Sequence, residues 1–134
     1  MILLDTHVVV WRALDPEKIP LKTRQVLDQE EKIHPLRICE ISLFEIAMLM
    51  KCGRLKVGLE YREFIHLILQ ANSYSLTGMN PEIAGLAVDL PDDVNKDPAD
   101  RIILATAIHY KTRLVTADLN LRKAGVAPVL WGGK

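Results

Sequence analysis

Apolar residues in this chain come in short runs of two kinds, some too brief for anything but a strand and others spaced at the period of a helix. Ile2-Leu3-Leu4 is wholly apolar and stops on Asp5, the pattern of a strand in a sheet covered on both faces. The β-branched run Val8-Val9-Val10 favours strand, yet the polar break at Asp5-Thr6 predicts a helix over 7–14 that turns back across the sheet. Asp15-Pro16 and Ile19-Pro20 bracket a loop. Good helix formers with Val26 and Leu27 inward then predict a helix from Leu21 to Glu31, and positions 36–41 alternate like a strand. Ser42 with Glu45 three residues on is a capping-box pattern, so a helix is expected to start at 42 or 43 and stop near Gly53. Another helix is expected over 59–71, a short strand over 73–76, and a helix opening at Asn80-Pro81 before a loop over 91–96.

The stretch from Asp97 to Asp118 organises the rest. Asp97 is a good N-cap, Pro98 suits a first helical position, and Ile102-Ile103-Leu104 with Ala105, Ala107 and Ile108 continues at helical spacing. After a break at Lys111-Thr112, Leu114-Val115-Thr116 reads as a buried strand ending near Asp118. A short helix over 119–123 and an edge strand over 126–130, where Pro128 is tolerable, complete the reading. Short apolar strands alternating with helices predict a three-layer α/β/α sandwich with a mainly parallel central sheet, in one domain spanning 1–134.

Composition narrows the functional classes. Lysine and arginine number 17 and aspartate and glutamate 17, so no global positive field announces a nucleic-acid binder, although a local patch or an oligomer can supply one. Cys39 and Cys52 lack metal-ligand spacing and read as buried, reduced thiols, which points to a cytoplasmic setting. The opening apolar run is too short and lacks the basic lead-in of a signal peptide, and no segment approaches a membrane span.

The candidate chemistry lies in four carboxylates. In a parallel sheet the crossover helices run antiparallel to the strands, so helix N-termini and strand C-termini share one edge. Asp5, Glu45, Asp100 and Asp118 are all expected at that edge. At ~5 Å and an effective dielectric of ~20, each ionised pair costs about 3 kcal/mol, and helix N-termini return only about 0.3–1 kcal/mol each. Hard divalent cations such as Mg²⁺ or Mn²⁺ offset the repulsion, and ions held by acids acidify water for in-line phosphodiester hydrolysis. Each acid also has a structural reading: Asp97 and Asp118 as helix caps, Asp100 and Glu45 at third helical positions, Asp5 as a strand-end turn residue. Thr6 and Thr116 lie beside the acids as supporting residues that can orient water. His7, Arg101 and Lys96 are candidate contacts to substrate phosphates, against a default of capping or solvated side chains. His34, His66 and His109 show no ligand spacing, and the basic cluster Lys51, Arg54 and Lys56 reads as a solvated face.

Four segments, Ile2-Leu3-Leu4-Asp5-Thr6-His7, Ser42-Leu43-Phe44-Glu45-Ile46-Ala47, Asp97-Pro98-Ala99-Asp100-Arg101 and Leu114-Val115-Thr116-Ala117-Asp118, together with the ending Val126-Ala127-Pro128-Val129-Leu130-Trp131, resemble the PIN-domain ribonucleases and, within them, the VapC toxins of toxin–antitoxin pairs. The resemblance spans essentially the whole chain and implies Mg²⁺- or Mn²⁺-dependent endonucleolytic cleavage of RNA. It places the acidic quartet on Asp5, Glu45, Asp100 and Asp118, with Asp5 and Asp100 holding the principal ion, Glu45 and Asp118 positioning or deprotonating water, and Asp97 as a helper. It further implies a homodimer silenced by a cognate VapB-like antitoxin, for which Phe44, Met48, Leu49 and Met50 would suit either contact. His7 stands where many PIN domains have Asn, although His is frequent in this subgroup. Two rivals share the acidic edge: another Mg²⁺-dependent phosphoryl-transfer domain of receiver or phosphatase type, for which no suitably placed lysine follows a later strand, and a catalytically inert pocket that docks a partner's basic tail.

Overall fold

The computed structural model describes residues 1–94 and 96–132. Five strands, β1 (Ile2–Leu4), β2 (Leu36–Cys39), β3 (Tyr74–Thr77), β4 (Arg113–Val115) and β5 (Val129–Leu130), form one sheet in the order β3-β2-β1-β4-β5. Every pairing is parallel, so the mainly parallel sheet expected is parallel throughout. Among the described residues seven α-helices flank it: α1 (Thr6–Leu14), α2 (Leu21–Glu31), α3 (Glu40–Lys51), α4 (Tyr61–Ala71), α5 (Pro81–Asp89), α6 (Pro98–Tyr110) and α7 (Leu119–Lys123).

Strand β1 shows why both faces must be covered. Its three residues are fully buried; Ile2 and Leu4 join Val8, Leu27, Phe64 and Ile68 in one core, while Leu3 joins Ile103, Leu104, Leu114 and Leu121 in the other. Alternate residues of one strand therefore feed two cores, the signature of a sheet sandwiched between helical layers. The connection from β1 goes to β2 on one side and the chain later returns to β4 on the other, so the strand order reverses at β1. Open parallel sheets form a crevice at that reversal, outside the carboxyl ends of the strands.

Helix α1 forms despite its three valines because all three are buried in the core that Ile2 and Leu4 of β1 share, and packing overrides a strand preference worth tenths of a kcal/mol. Helix α6 begins as expected, with the Asp97 carboxylate accepting the Ala99 N–H at 2.9 Å and Pro98 at its first position. It ends at Lys111, whose φ of 52° turns the chain in the left-handed region before β4.

Several boundaries differ from the sequence reading. Strand β2 stops at Cys39 and α3 starts at Glu40, so the alternation over 36–41 ran two residues into a helix, where Ile41 packs on the second core. Ser42 consequently lies inside α3, fully buried, and caps nothing; Glu45 is the sixth residue of that helix, not the third. Helix α4 starts at Tyr61 rather than 59, β3 and β4 are each shifted by one residue, and β5 keeps only Val129 and Leu130, whose predecessor Pro128 still offers its carbonyl to Leu114 N–H at 2.9 Å. Both cysteines are free, as expected, but Cys52 is exposed, because the α3 C-terminus on which it sits is uncovered. No helix among the described residues is long and apolar enough to cross a membrane.

Candidate metal centre

The crevice at the carboxyl end of β1 is a cavity of about 280 Å³ walled by Asp5, His7, Trp11, Glu45, Asp97, Asp100, Ala117 and Asp118. All four acids of the expected quartet face it, and Asp97 joins them. The quartet arrives on four different elements, and Asp97 shares one of them with Asp100. Asp5 follows β1 and continues its ladder, donating its N–H to the Val115 carbonyl at 3.0 Å. Glu45 projects from the middle of α3, Asp97 and Asp100 from the first turn of α6, and Asp118 from the N-cap of α7, where its Oδ1 accepts the N–H groups of Asn120 at 2.8 Å and Leu121 at 3.3 Å.

The tightest grouping among the described residues is Glu45, Asp97 and Asp100, each offering a carboxylate oxygen within 4.8 Å of the others. Asp97 thus serves as cap and as wall at once, one oxygen accepting from Ala99 N–H while the group stands in the cluster.

Two hydroxyl relays hold the buried acids. Thr116 donates to Asp5 Oδ2 at 2.7 Å and itself accepts the Asp118 N–H at 3.0 Å. The other oxygen of Asp5 accepts the Thr6 N–H at 2.7 Å. Thr6 donates its hydroxyl proton to Glu45 Oε1 in a short hydrogen bond and meets the Ser42 hydroxyl at 2.8 Å. A hydroxyl has one proton to give, so with Thr6 committed to Glu45 the Ser42 hydroxyl is the donor of that pair.

Electrostatics records the crowding. Burial, followed by the charges of Asp5, Asp97, Glu45 and Asp118, pushes the Asp100 carboxyl up to about 7. Burial also raises Asp5 and Glu45, against the lowering effect of their threonine hydrogen bonds. Cys39 nearby is pushed up to about 11 by burial, so it is a neutral thiol and no competing ligand at neutral pH. The donor set is therefore all hard carboxylate oxygen with repulsion to be neutralised, which fits Mg²⁺ or Mn²⁺ and fits no soft-metal site.

The candidate phosphate contacts fare differently. His7 is exposed and stands on the cavity wall. Lys96 is exposed and lines neither this cavity nor its neighbour. Arg101 directs its guanidinium to the carbonyls of Ala87 at 2.9 Å, Pro91 at 3.1 Å, Val88 at 3.2 Å and Leu90, closing the C-terminus of α5. An exposed row of helix-end carbonyls outcompetes solvent for a planar, five-donor cation, so its place is structural. Sequence reasoning passed over Trp11, although its position one turn after His7 on the same helix face was a usable signal. It also mistook Ser42, whose partner is distant in sequence.

A second cavity, about 530 Å³, adjoins the first and shares His7, Glu45 and Asp97 with it. It runs between α3 and α6 and is lined by Ile41, Phe44, Met48, Leu49, Pro98 and Ile102, with Phe44 and Met48 strongly exposed.

The family model that describes the PIN domain matches residues 2–127. The chain belongs to the PIN-domain family. Over 121 residues this PIN domain is 34% identical to ribonuclease VapC22 of Mycobacterium tuberculosis, covering 90% of this chain and 89% of that protein. Solved structures share its fold: that of VapBC2 from Rickettsia felis bound to a DNA fragment from their promoter superposes with a TM-score of 0.72 at 18% identity, covering 98% of this chain and 99% of that one. A toxin–antitoxin complex from Klebsiella pneumoniae gives 0.65 at 21% identity over 97% of this chain and 96% of that one.

Proposed function

We propose that this PIN domain is a divalent-metal-dependent endoribonuclease and the toxin of a toxin–antitoxin pair. The observation that carries the reading is the meeting of Glu45, Asp97 and Asp100 within 4.8 Å in a cavity that Asp5 and Asp118 also wall. Likeness to a ribonuclease over nine-tenths of the chain supports RNA as the substrate.

In this reading the five acids hold Mg²⁺ or Mn²⁺, with Asp5 and Asp100 central. The bound ion supplies Lewis acidity, acidifying water and offsetting charge on the phosphoryl oxygens. The chain's own groups do the rest. Thr116 and Thr6 aim the Asp5 and Glu45 carboxylates and prevent their rotation. Glu45, with Thr6 on Oε1, and Asp118, with its backbone fixed by Thr116, both line the cavity, where they orient water and accept its proton. Phosphodiester hydrolysis follows by in-line attack on phosphorus.

Complexes among the structural neighbours support a cognate antitoxin as partner. The apolar cavity along α3 is its seat in this reading, with a basic side chain reaching the acids through the shared wall of His7, Glu45 and Asp97. The toxin acts in this reading as a homodimer in the cytoplasm, each chain a single domain.

The test is incubation of purified protein with single-stranded RNA and Mn²⁺ or Mg²⁺, with and without EDTA, beside an Asp5→Asn variant of verified fold. Cleavage that needs the ion and vanishes in the variant is expected. Cleavage that survives EDTA, or that the variant retains, sinks the reading.

A further inference from the structure

The only two tryptophans in the chain, 120 positions apart, stand together beside the acids: the Trp11 and Trp131 ring centroids are 6.0 Å apart with their planes at 47°. One helical turn before Trp11, the exposed His7 ring lies 6.0 Å away, tilted by 54°. Lys18 extends over the Trp11 ring, its Nζ 5.9 Å from the centroid, and is more than half exposed. Core packing accounts for part of this group, since both indoles touch the first hydrophobic core. It does not account for the rest. Trp11 keeps part of its surface accessible and uses it to form one wall of the acidic cavity.

A substrate at that cavity meets an electrostatic difficulty. Five carboxylates line it, the whole chain has no net charge, and the two cations nearest in sequence to the acids are placed elsewhere, Arg101 on the α5 carbonyls and Lys96 off the wall. Ions at the acids bind the phosphate under attack but do little for the rest of the strand. Stacking needs no charge, and every nucleobase has a face to offer, so an aromatic wall is the physically suited grip. A nucleotide whose phosphate sits on the acids carries its base against the neighbouring wall. We infer that Trp11, buttressed by Trp131 and His7, is a stacking site for an unpaired nucleobase of the RNA next to the scissile phosphate, with Lys18 moving from the ring to an adjacent phosphate. Trp11 lines the acidic cavity, where the scissile phosphate binds, and lies outside both the apolar cavity along α3 and the shared wall of His7, Glu45 and Asp97 by which a partner's side chain enters, so a nucleobase is its occupant.

This rests on the nuclease reading and can fail without it. Intrinsic tryptophan fluorescence is titrated, with Ca²⁺ as the divalent ion, against a mixed-sequence unstructured 12-nucleotide RNA and against an abasic ribose-phosphate strand of the same length. Quenching by the RNA and at most weak quenching by the abasic strand are expected, with affinity lowered on the order of 10- to 100-fold in Trp11→Ala and kept within threefold in Trp11→Phe. Cleavage with Mn²⁺ of a substrate carrying a single abasic site beside the cut bond gives the second readout. Wild type should lose there what Trp11→Ala loses on intact RNA, and the variant should lose nothing further. Equal losses from Trp11→Ala on intact and abasic substrates, or equal quenching of wild type by RNA and abasic strand, overturn the stacking site while metal-dependent cleavage leaves the nuclease standing. Absence of both cleavage and quenching overturns the two together. The wild-type comparison needs no variant to fold.

Discussion

Thr6 donates its hydroxyl to Glu45 across 39 residues of sequence, joining the first turn of α1 to the middle of α3. Ser42 donates to the same hydroxyl from one turn earlier on α3, so two hydroxyls in series fix one carboxylate. Outer partners of metal-binding groups are worth about 10- to 100-fold in affinity or activity. Thr6→Val, of nearly the same shape, should therefore lower Mn²⁺ affinity, read by the free-ion signal in electron paramagnetic resonance, and cleavage rate by that factor. Thr6→Ser, which keeps the hydroxyl, should restore most of both; equal losses in the two variants would show that the methyl group and not the hydrogen bond matters.

Thr116 has no exposed surface, and its hydroxyl serves two partners, accepting from Asp118 N–H and donating to Asp5 Oδ2. Replacing it with Val deprives both at once. Leaving a buried acceptor and donor unmet costs about 1–3 kcal/mol, more when a charge is involved. The urea midpoint of Thr116→Val in EDTA should fall accordingly, with an unchanged slope, and Thr116→Ser should recover most of the loss.

The sign of the pH dependence at Asp100 follows from its raised pKa. A group whose folded pKa lies above its unfolded one favours the folded state below the unfolded value and loses that contribution as pH rises through the folded value, here from about 4 to about 7. Burial is the larger cause and the neighbouring acids the next. In EDTA, Asp100→Asn should raise the melting temperature at pH 8, where the wild-type carboxylate is charged, and change it little at pH 5. Saturating Mn²⁺ should reverse the order at pH 8. A variant no more stable than wild type at pH 8 in EDTA would contradict the crowding.

Arg101 is bound to carbonyls at the end of α5, so its removal should register in stability and not in substrate affinity. Arg101→Lys keeps the charge and loses the fork; a cost of about 2 kcal/mol is expected in denaturant unfolding. Mn²⁺ affinity and KM for RNA should stay within twofold. An unchanged stability with a raised KM would return Arg101 to the phosphate.

Met48 is well exposed on the wall of the apolar cavity, one turn after Glu45 on α3, and does not line the acidic cavity. Met48→Glu should leave RNA cleavage intact and weaken capture of the cognate antitoxin proposed above by 10-fold or more in pull-down or calorimetry. Undiminished capture would move the partner's seat elsewhere.

What the sequence by itself determined is whatever depends on neighbours along the chain. The wholly apolar run Ile2-Leu3-Leu4 announced a strand buried on both faces, Asp97-Pro98 announced a helix start, and strand-to-carboxylate junctions at Asp5 and Asp118 announced the edge where acids gather. Local signals sufficed there because capping, proline geometry and hydrophobic period are decided within a few residues. The α3 boundary escaped because the alternation that marks a strand ran on into a helix whose partners lie on both cores. Only the tertiary structure decided that Asp97 stands with Glu45 and Asp100, that Ser42 backs Thr6 instead of capping, that Arg101 closes α5, and that Trp11 meets Trp131 beside the acids. Those relationships join residues tens of positions apart, and their existence depends on strand order and helix packing, which no local pattern encodes.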